Sequence, residues 1–376
     1  MQNKKTDFLI VGGGIFGVYA ALALSRKGQK VILIEKEAAL MKKASIVNQA
    51  RLHSGYHYPR SVATARMSDD NKVRFTEDHK DFINFSFKKY YAIDRFGSFT
   101  DASQFERFSK YINIKCDRIE GHPLFNYDRL EALYETTEYS FDPVLIAQYY
   151  REQVMKDVNI EVIFSTTIKR VSPDGDQWQI ETTKGLISAR EVINATYSMS
   201  NAINDIFGVD HIDLMHEISE IALLTSPQMQ NIGLTVMDGP FGSMMPYGKS
   251  GLLSLSSVPY THHKVSYESK PAFNCQEGIA NCSPLASGIC NDCVAKPISN
   301  YTKMKRQMAQ YFSPDVQLNY FSSLFTIKSK LMANFIDDGR PTVISILNEK
   351  PRFYCIFAGK INSIYEIEKV VDVLKE

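Results

Sequence analysis

Three glycines near the start of the chain have the spacing of a phosphate-binding turn. Gly12, Gly14 and Gly17 form the pattern G-x-G-x-x-G, with Ile15 at the start of a predicted helix. Gly12 permits a tight turn, Gly14 lets the backbone approach a pyrophosphate without a Cβ, and Gly17 allows close packing of helix on strand. Glu35 follows about 20 residues later, where a carboxylate accepts hydrogen bonds from ribose hydroxyls. These residues predict a dinucleotide site that disfavours NADP, because Glu35 repels a 2′-phosphate.

A second group of chemically capable side chains follows in the segment NQARLHSGYHYP. It brings His53, Tyr56, His57 and Tyr58 close together in the chain. This composition favours a loop that lines a site, although a surface loop whose aromatic rings cover a neighbouring sheet is the alternative. An unperturbed imidazole titrates near neutrality, so His53 is a candidate general base. Its alternative role is that of a structural histidine.

Four cysteines lie in one short insert at residues 270–297, and the last two form a C-x-x-C pair. They are Cys275, Cys282, Cys290 and Cys293. Four thiolates suit a tetrahedral structural zinc, which would give shape to an insert with little apolar periodicity. The spacing is not that of a standard zinc ribbon, so free thiols or disulfides are open alternatives, and an iron–sulfur cluster is the least favoured.

The elements that must position these residues alternate between strand and helix at first and become mainly strands later. Residues 8–11 and 31–34 are apolar runs typical of buried parallel strands, with a helix between them. Asp142 and Pro143 predict the N-cap and first residue of another helix. Short strands broken by glycine and proline turns across residues 215–265 predict an antiparallel sheet.

Composition limits the class of protein. A chain of 376 residues exceeds the usual size of one domain, so we expect two. The net charge of +1, with no basic run interleaved with aromatic residues, argues against nucleic acid as a partner. No signal-peptide core and no apolar run of about 18 residues is present, so we expect no transmembrane segment and a cytoplasmic location with free thiols. The oligomeric state is left open.

The order of these motifs resembles flavoproteins of the D-amino-acid oxidase superfamily, including glycine oxidase and L-2-hydroxyglutarate dehydrogenase. The resemblance rests on VGGGIFG with Glu35, on NQARLHSGYHYP, and on three later motifs: Phe141-Asp142-Pro143, the strand ending at Ala195, and GRP at residues 339–341. It implies an α/β fold in which a Rossmann-like FAD-binding domain is joined to a second, mainly antiparallel-sheet substrate domain. The implied FAD-binding domain comprises residues 1–84, 141–210 and 320–376, and the substrate domain comprises residues 85–140 and 211–319.

The resemblance also implies which residues contact FAD. The pyrophosphate would lie at the glycine turn, the ribose at Glu35, and the flavin N1–C2 edge at the turn AGKINSI, where a helix N-terminus would stabilise negative charge. Ala50 and residues 360–364 replace glycines of the family, which reshapes the pocket and leaves the substrate open. The implied cofactor-binding residues are Gly12, Gly14, Ile15, Gly17, Glu35, Ser45, Asn48, Gln49, Arg51, Leu52, Ile168, Ala195, Thr196, Gly359, Lys360, Ile361 and Asn362.

The implied reaction is removal of a hydride from a carbon that bears an amine or hydroxyl group. His53 matches the position of the base. Arg340 is implied as the anchor for a substrate carboxylate, with Lys328 or Lys330 as its alternatives. Two other functions stay open: a flavin-binding scaffold that acts through its cysteine insert, and an NAD-linked dehydrogenase. In the enzyme, the zinc-bearing insert is expected to lie remote from the flavin and to have no catalytic role.

Overall fold

The structure of the chain, a computed structural model, describes residues 3–62, 65–66, 71–332 and 342–373. Its strands are β1 (Lys4–Val11), β2 (Val31–Ile34), β3 (Arg51–Leu52), β4 (Ile83–Asn84), β5 (Lys88–Asp94), β6 (Asp117–Arg118), β7 (Leu130–Thr136), β8 (Tyr139–Phe141), β9 (Ile160–Ile163), β10 (Ile168–Asp174), β11 (Gln177–Thr182), β12 (Gly185–Asn194), β13 (Leu214–Thr225), β14 (Ile232–Met237), β15 (Gly242–Pro246), β16 (Leu253–Ser257), β17 (His262–Ser266), β18 (Asn319–Leu331), β19 (Val343–Glu349) and β20 (Arg352–Phe357). Its α-helices are α1 (Ile15–Ser25), α2 (Lys72–Asp78), α3 (Ala102–Tyr111), α4 (Pro143–Lys156), α5 (Ser200–Phe207), α6 (Val258–Thr261), α7 (Tyr301–Ala309) and α8 (Ile367–Val373).

The first sheet carries the glycine turn. Its order is β10-β11-β12-β1-β2-β9, with β20 beside β12 and β19 beside β20. Strands β12, β1, β2 and β9 run parallel, and α1 connects β1 to β2. The second half of β1 and all of β2 are apolar and buried, as parallel strands covered on both faces must be. The carboxyl ends of these strands therefore meet at one edge, and the predicted α/β, Rossmann-like architecture is confirmed.

The second sheet is mainly antiparallel, as expected. Its order is β17-β13-β16-β15-β14-β5-β7-β6, with β18 also paired to β13. One face packs on α7 through Met304 and Met308, and the segment before β3 packs on Ile221 and Leu223 of β13. The implied boundary at residue 320 needs correction here, because β18 forms its backbone hydrogen bonds with β13 from Leu214↔Leu331 to Thr225↔Asn319. That strand therefore belongs to the second sheet.

A small three-stranded sheet has the order β3-β8-β4. Its first strand, β3, comes just before the histidine-bearing loop. Val47 and Ala50, just before β3, pack on Ile221, Leu223 and Tyr247 of the second sheet. The histidine-bearing loop that follows β3 is thereby fixed between the layers. No helix within the described ranges combines the length and apolar character needed to cross a bilayer.

Candidate cofactor and substrate site

A cavity of about 560 Å³ opens at the carboxyl ends of β1, β2 and β12, and β18 forms part of its opposite wall. Two of the implied cofactor residues, Gly17 and Leu52, do not line it. Gly17 packs α1 on the turn, and Leu52 lies in the apolar core with Phe75 and Phe141. The implied residues that line the cavity are Gly12, Gly14, Ile15, Glu35, Ser45, Asn48, Gln49, Arg51, Ile168, Ala195, Thr196, Gly359, Lys360, Ile361 and Asn362.

The glycine turn has the geometry that a bound pyrophosphate requires. Gly12 has φ +104°, and a Cβ on Gly17 would lie 2.0 Å from the carbonyl oxygen of Gly12. A Cβ on Gly14 would meet only the Ser45 Oγ, at 3.5 Å. The protein itself therefore leaves room at Gly14, and the absent side chain keeps the cavity side of the turn open. Ser45 Oγ accepts a hydrogen bond of 3.0 Å from the Ile15 N–H at the start of α1. These residues fit the phosphate-binding role.

Glu35 stands at the end of β2 with its carboxylate fixed by backbone groups. Its Oε2 accepts a hydrogen bond of 2.6 Å from the Gly13 N–H, and its Oε1 accepts one of 2.9 Å from the Glu37 N–H. The Glu35 carbonyl accepts a hydrogen bond from Thr166, which brings the start of β10 and Ile168 to the cavity. The position of Glu35 fits the ribose-binding role.

Strained backbone is concentrated around the cavity. Met41, Ala50 and Tyr197 line it and have φ of 57°, 56° and 56°, in the left-handed region that L-residues rarely adopt. Asn48 supports this conformation, because its Oδ1 accepts a hydrogen bond of 2.7 Å from the Ala50 N–H. Ala50 thus keeps the backbone shape for which the family uses glycine. Strain of this kind is typical of functional sites.

The C-terminal turn differs from the sequence-based expectation. A 3₁₀ segment, Ile361–Glu366, follows Lys360, and α8 begins only at Ile367. The backbone at the cavity therefore comes from a tight turn instead of the start of the last α-helix. Lys360 is buried, and its ammonium lies 4.9 Å from the centroid of the Tyr58 ring.

Beneath the cavity lies a buried group of charged residues that sequence analysis missed. Arg51 lines the cavity, but its Nη2 donates to Thr235 Oγ1 at 3.1 Å and its Nε lies 3.6 Å from Glu138 Oε2. The Arg51 and Glu138 side chains are 2% and 0% exposed. Lys89 is also buried and donates to Thr235 Oγ1. Burial and the neighbouring Arg51 together lower the pKa of Lys89 well below its usual value. The sequence signal that could have found this group is Lys89 itself, a lysine within the apolar strand β5.

His53 lies between this charged group and the cavity. It lines the cavity with 21% of its side chain exposed, and its Nδ1 lies 3.9 Å from Glu138 Oε1. Glu138 Oε2 also accepts a hydrogen bond of 2.8 Å from the Tyr91 hydroxyl. The carboxylate is therefore held behind the imidazole, on the side away from the cavity. This arrangement can orient a base.

The structure describes two of the three predicted anchors for a substrate carboxylate, and only one of those two lines the cavity. Lys330 does not line the cavity, and its Nζ forms an ion pair of 3.1 Å with Glu217. Lys328, two residues earlier on β18, does line the cavity. Arg340 lies outside the described residues. The two lysines share one face of β18, and they differ in their position along the strand: Lys328 reaches the cavity and Lys330 lies beyond its edge.

The cysteine insert lies against the cofactor cavity. Residues 285–290 form part of the wall, and Lys36 and Lys43 donate hydrogen bonds to the Ser287 carbonyl at 3.0 and 2.9 Å. The sequence predicts an insert remote from the flavin, and the structure brings part of the insert to the wall of the cofactor cavity. Within the described ranges, no group of three or more His, Cys, Asp or Glu side chains is arranged to hold a metal, and Cys275, Cys282, Cys290 and Cys293 are free thiols. The predicted zinc site thus gains no support.

Comparison with known proteins places these features in context. Residues 7–255 match the family model described as FAD dependent oxidoreductase. The FAD-dependent monooxygenase FPY4 of Fusarium mangiferae is 23% identical over 365 residues, which is 95% of this chain and 87% of that protein. Among solved structures, L-alpha-glycerophosphate oxidase from Mycoplasma pneumoniae has a TM-score of 0.71 at 16% identity, and glycine oxidase from Geobacillus kaustophilus has 0.69 at 14%. Each alignment covers 99% of this chain and 95% of the solved chain.

Proposed function

This chain belongs to the family of FAD-dependent oxidoreductases, and we propose that this FAD-dependent enzyme removes a hydride from a small amine or hydroxy compound. The observation that carries the proposal is His53 in the cavity wall with the buried Glu138 behind it. The two fold neighbours described above are oxidases of an amine and of a hydroxy compound, which supports this substrate class by analogy of fold.

The cofactor supplies the acceptor for the hydride when it is bound. The residues that would hold it are the Gly12–Gly14 turn for the phosphates, Glu35 for the ribose, and the backbone around Gly359 and Lys360 for the flavin. The open Cβ position at Gly14 and the fixed carboxylate of Glu35 are the structural reasons for this assignment.

In the proposed reaction, His53 accepts the proton that a hydroxyl or ammonium group loses as the hydride leaves. Glu138 acts as a positioning residue, because its buried carboxylate lies 3.9 Å from His53 Nδ1 and would favour an imidazole that carries a proton on that nitrogen. Lys328 lies in the same cavity wall and would place a substrate carboxylate or other anion. Arg340 stays a second candidate for that role.

Neither alternative function gains support from the fold or the relatives. A scaffold has no need of a base-bearing cavity, and the family match favours FAD over NAD as the cofactor. A cytoplasmic location and a structural zinc stay predictions.

Anaerobic mixing of the FAD-loaded enzyme with amines, amino acids, hydroxy acids and sugar derivatives tests the proposal directly. We expect one class to bleach the flavin absorbance. Bleaching by reduced nicotinamide alone, with none of these compounds active, would contradict the proposed substrate class.

His53→Ala should slow flavin reduction by about 10²- to 10⁴-fold, the usual contribution of a general base, while FAD binding changes little. His57→Ala is the matched control, because His57 lies nearby and does not line the cavity. Glu138→Gln should slow the same step per bound FAD, and it should also lower the melting temperature because the buried Arg51 loses its carboxylate partner. Equal rates for the His53 and His57 variants would remove His53 from the mechanism.

A further inference from the structure

We propose that the cysteine insert is a second wall of the cofactor site, which closes over the adenosine end of FAD and slows its release. The proposal depends on the cofactor and is independent of the substrate. Residues 285–290 line the cavity beside the end of β2, where Glu35 marks the ribose position. No glycine motif or Rossmann element contributes this wall, so it is an addition to the nucleotide-binding fold.

Two lysines in the segment that follows β2 form hydrogen bonds to the backbone of the insert. Lys36 Nζ donates to the carbonyls of Ala286 and Ser287 at 3.3 and 3.0 Å, and Lys43 Nζ donates to Ser287 at 2.9 Å. Glu37 holds both ammonium groups, with ion-pair distances of 3.5 Å to Lys36 and 2.9 Å to Lys43. Hydrogen bonds from charged donors are the stronger kind, so these contacts give the insert a defined closed position.

The other side of the insert is fastened to the second sheet. Cys290 packs on Ile218, Phe273 and Ile327, and Asn291 Oδ1 accepts a hydrogen bond of 3.1 Å from the Phe325 N–H on β18. The insert thus bridges the two sheets across the cavity. FAD bound beneath it would leave only after one set of these contacts opened.

Two thiols of the insert, Cys282 and Cys293, accept hydrogen bonds from its backbone. Cys282 Sγ accepts a hydrogen bond of 3.3 Å from the Gly288 N–H, at the centre of the cavity-lining segment. The Cys290 thiol is half-buried at the end of this segment, where the closed insert limits its contact with solvent. Alkylation of Cys290 therefore reports opening.

The first test measures how fast FAD leaves the holoenzyme, by the rise in free FAD fluorescence after dilution. Lys36→Met and Lys43→Met should each speed release by about tenfold, the effect of losing a hydrogen bond from a charged donor. Lys42→Met is the matched control, since it removes the same charge from the same segment and Lys42 makes no hydrogen bond to the insert among the described contacts. Equal release from the Lys42 and Lys43 variants would overturn the proposal.

A second variant separates this role from direct contact between the lysines and the FAD phosphates. Cys282→Ala leaves both lysines in place and removes the hydrogen bond from the Gly288 N–H within the insert, so we expect faster FAD release here as well. Unchanged release would assign the lysine effect to phosphate binding and would also contradict the proposal.

The third measurement compares alkylation of Cys290 by N-ethylmaleimide in the holoenzyme and in protein stripped of FAD. We expect FAD to slow the reaction at Cys290 and to leave Cys116, which packs near Ile112 and Ile114 and does not line the cavity, unaffected. Equal rates at Cys290 with and without FAD would overturn the proposal. None of these measurements uses a substrate, so their results do not depend on whether the proposed reaction is correct.

Discussion

The two walls of the cavity are built in different ways. On the cofactor side, Gly12, Gly14, Glu35 and Ser45 lie within one short stretch of chain, and their contacts are largely made by backbone groups. On the substrate side, the charged group beneath His53 joins residues from four separate segments: Arg51, Lys89, Glu138 and Thr235. Local sequence can specify a site that is made of backbone, whereas a site made of long side chains depends on how the strands pair.

The two walls also differ in how many buried charges they contain, and therefore in how they affect the stability of the fold. The cofactor wall buries few charges, because its donors are amide groups at a turn and a helix start. The substrate wall buries the Arg51–Glu138 pair together with Lys89, and burial of charge is unfavourable unless every group is paired. We therefore expect substitutions to break the first wall by steric clash and the second by loss or gain of charge.

The largest effect is expected from Gly17→Ala. Its Cβ would lie 2.0 Å from the Gly12 carbonyl oxygen, so the turn and α1 must separate, which costs about 1–3 kcal/mol or more. Gly14→Ala meets no such obstacle and should lower stability by less than about 1 kcal/mol, yet lose FAD because the methyl group occupies the phosphate's place. Thermal unfolding and the flavin absorbance of the purified variants measure both. A Gly14→Ala protein with full FAD content would refute the assignment of this turn.

Next in size is Lys89→Met on the substrate wall, which should stabilise the protein by about 1–4 kcal/mol at neutral pH. The pKa of Lys89 is lowered in the folded state, so the unfolded chain binds the proton more readily. At every pH below the unfolded pKa, Lys89 therefore lowers the free energy of unfolding. The gain should shrink as the pH rises toward about 10, where the unfolded lysine also loses its proton. Urea unfolding at several pH values checks this, and a destabilised variant would show that Lys89 is a paired charge.

The smallest effect is expected from Ala50→Gly, where the two walls meet. Relief of the left-handed backbone, about 1–2 kcal/mol, offsets the lost methyl contact and the greater freedom of the unfolded chain, so stability should change by less than about 1 kcal/mol. Ala50→Val keeps more apolar surface but should destabilise strongly, since a β-branched residue rarely adopts this conformation. If the glycine variant proves the less stable of the two, the backbone conformation is not what matters at this position.

The cofactor half of the site could be predicted from the sequence because its determinants are local. The glycine spacing, the apolar strands around it and Glu35 require one arrangement, and the structure brings all but Gly17 and Leu52 of the implied cofactor residues to the cavity. The substrate half was less predictable. His53 was found from its motif, but a role for Glu138 and Lys89 appears only when β5 lies beside β14 in the second sheet and β8 lies beside β3 in the small sheet.

By itself, the sequence determined the α/β class, the nucleotide-binding turn and the placement of His53 on a loop beside the cavity. Tertiary structure placed Lys328 in the cavity wall and Lys330 beside Glu217, because the position of the cavity along β18 depends on how the two sheets pack. It also brought the cysteine insert to Lys36 and Lys43, some 250 residues away in the chain. Contacts of such separation leave no periodic trace in sequence, because they arise from the packing of two sheets and not from the conformation of either segment.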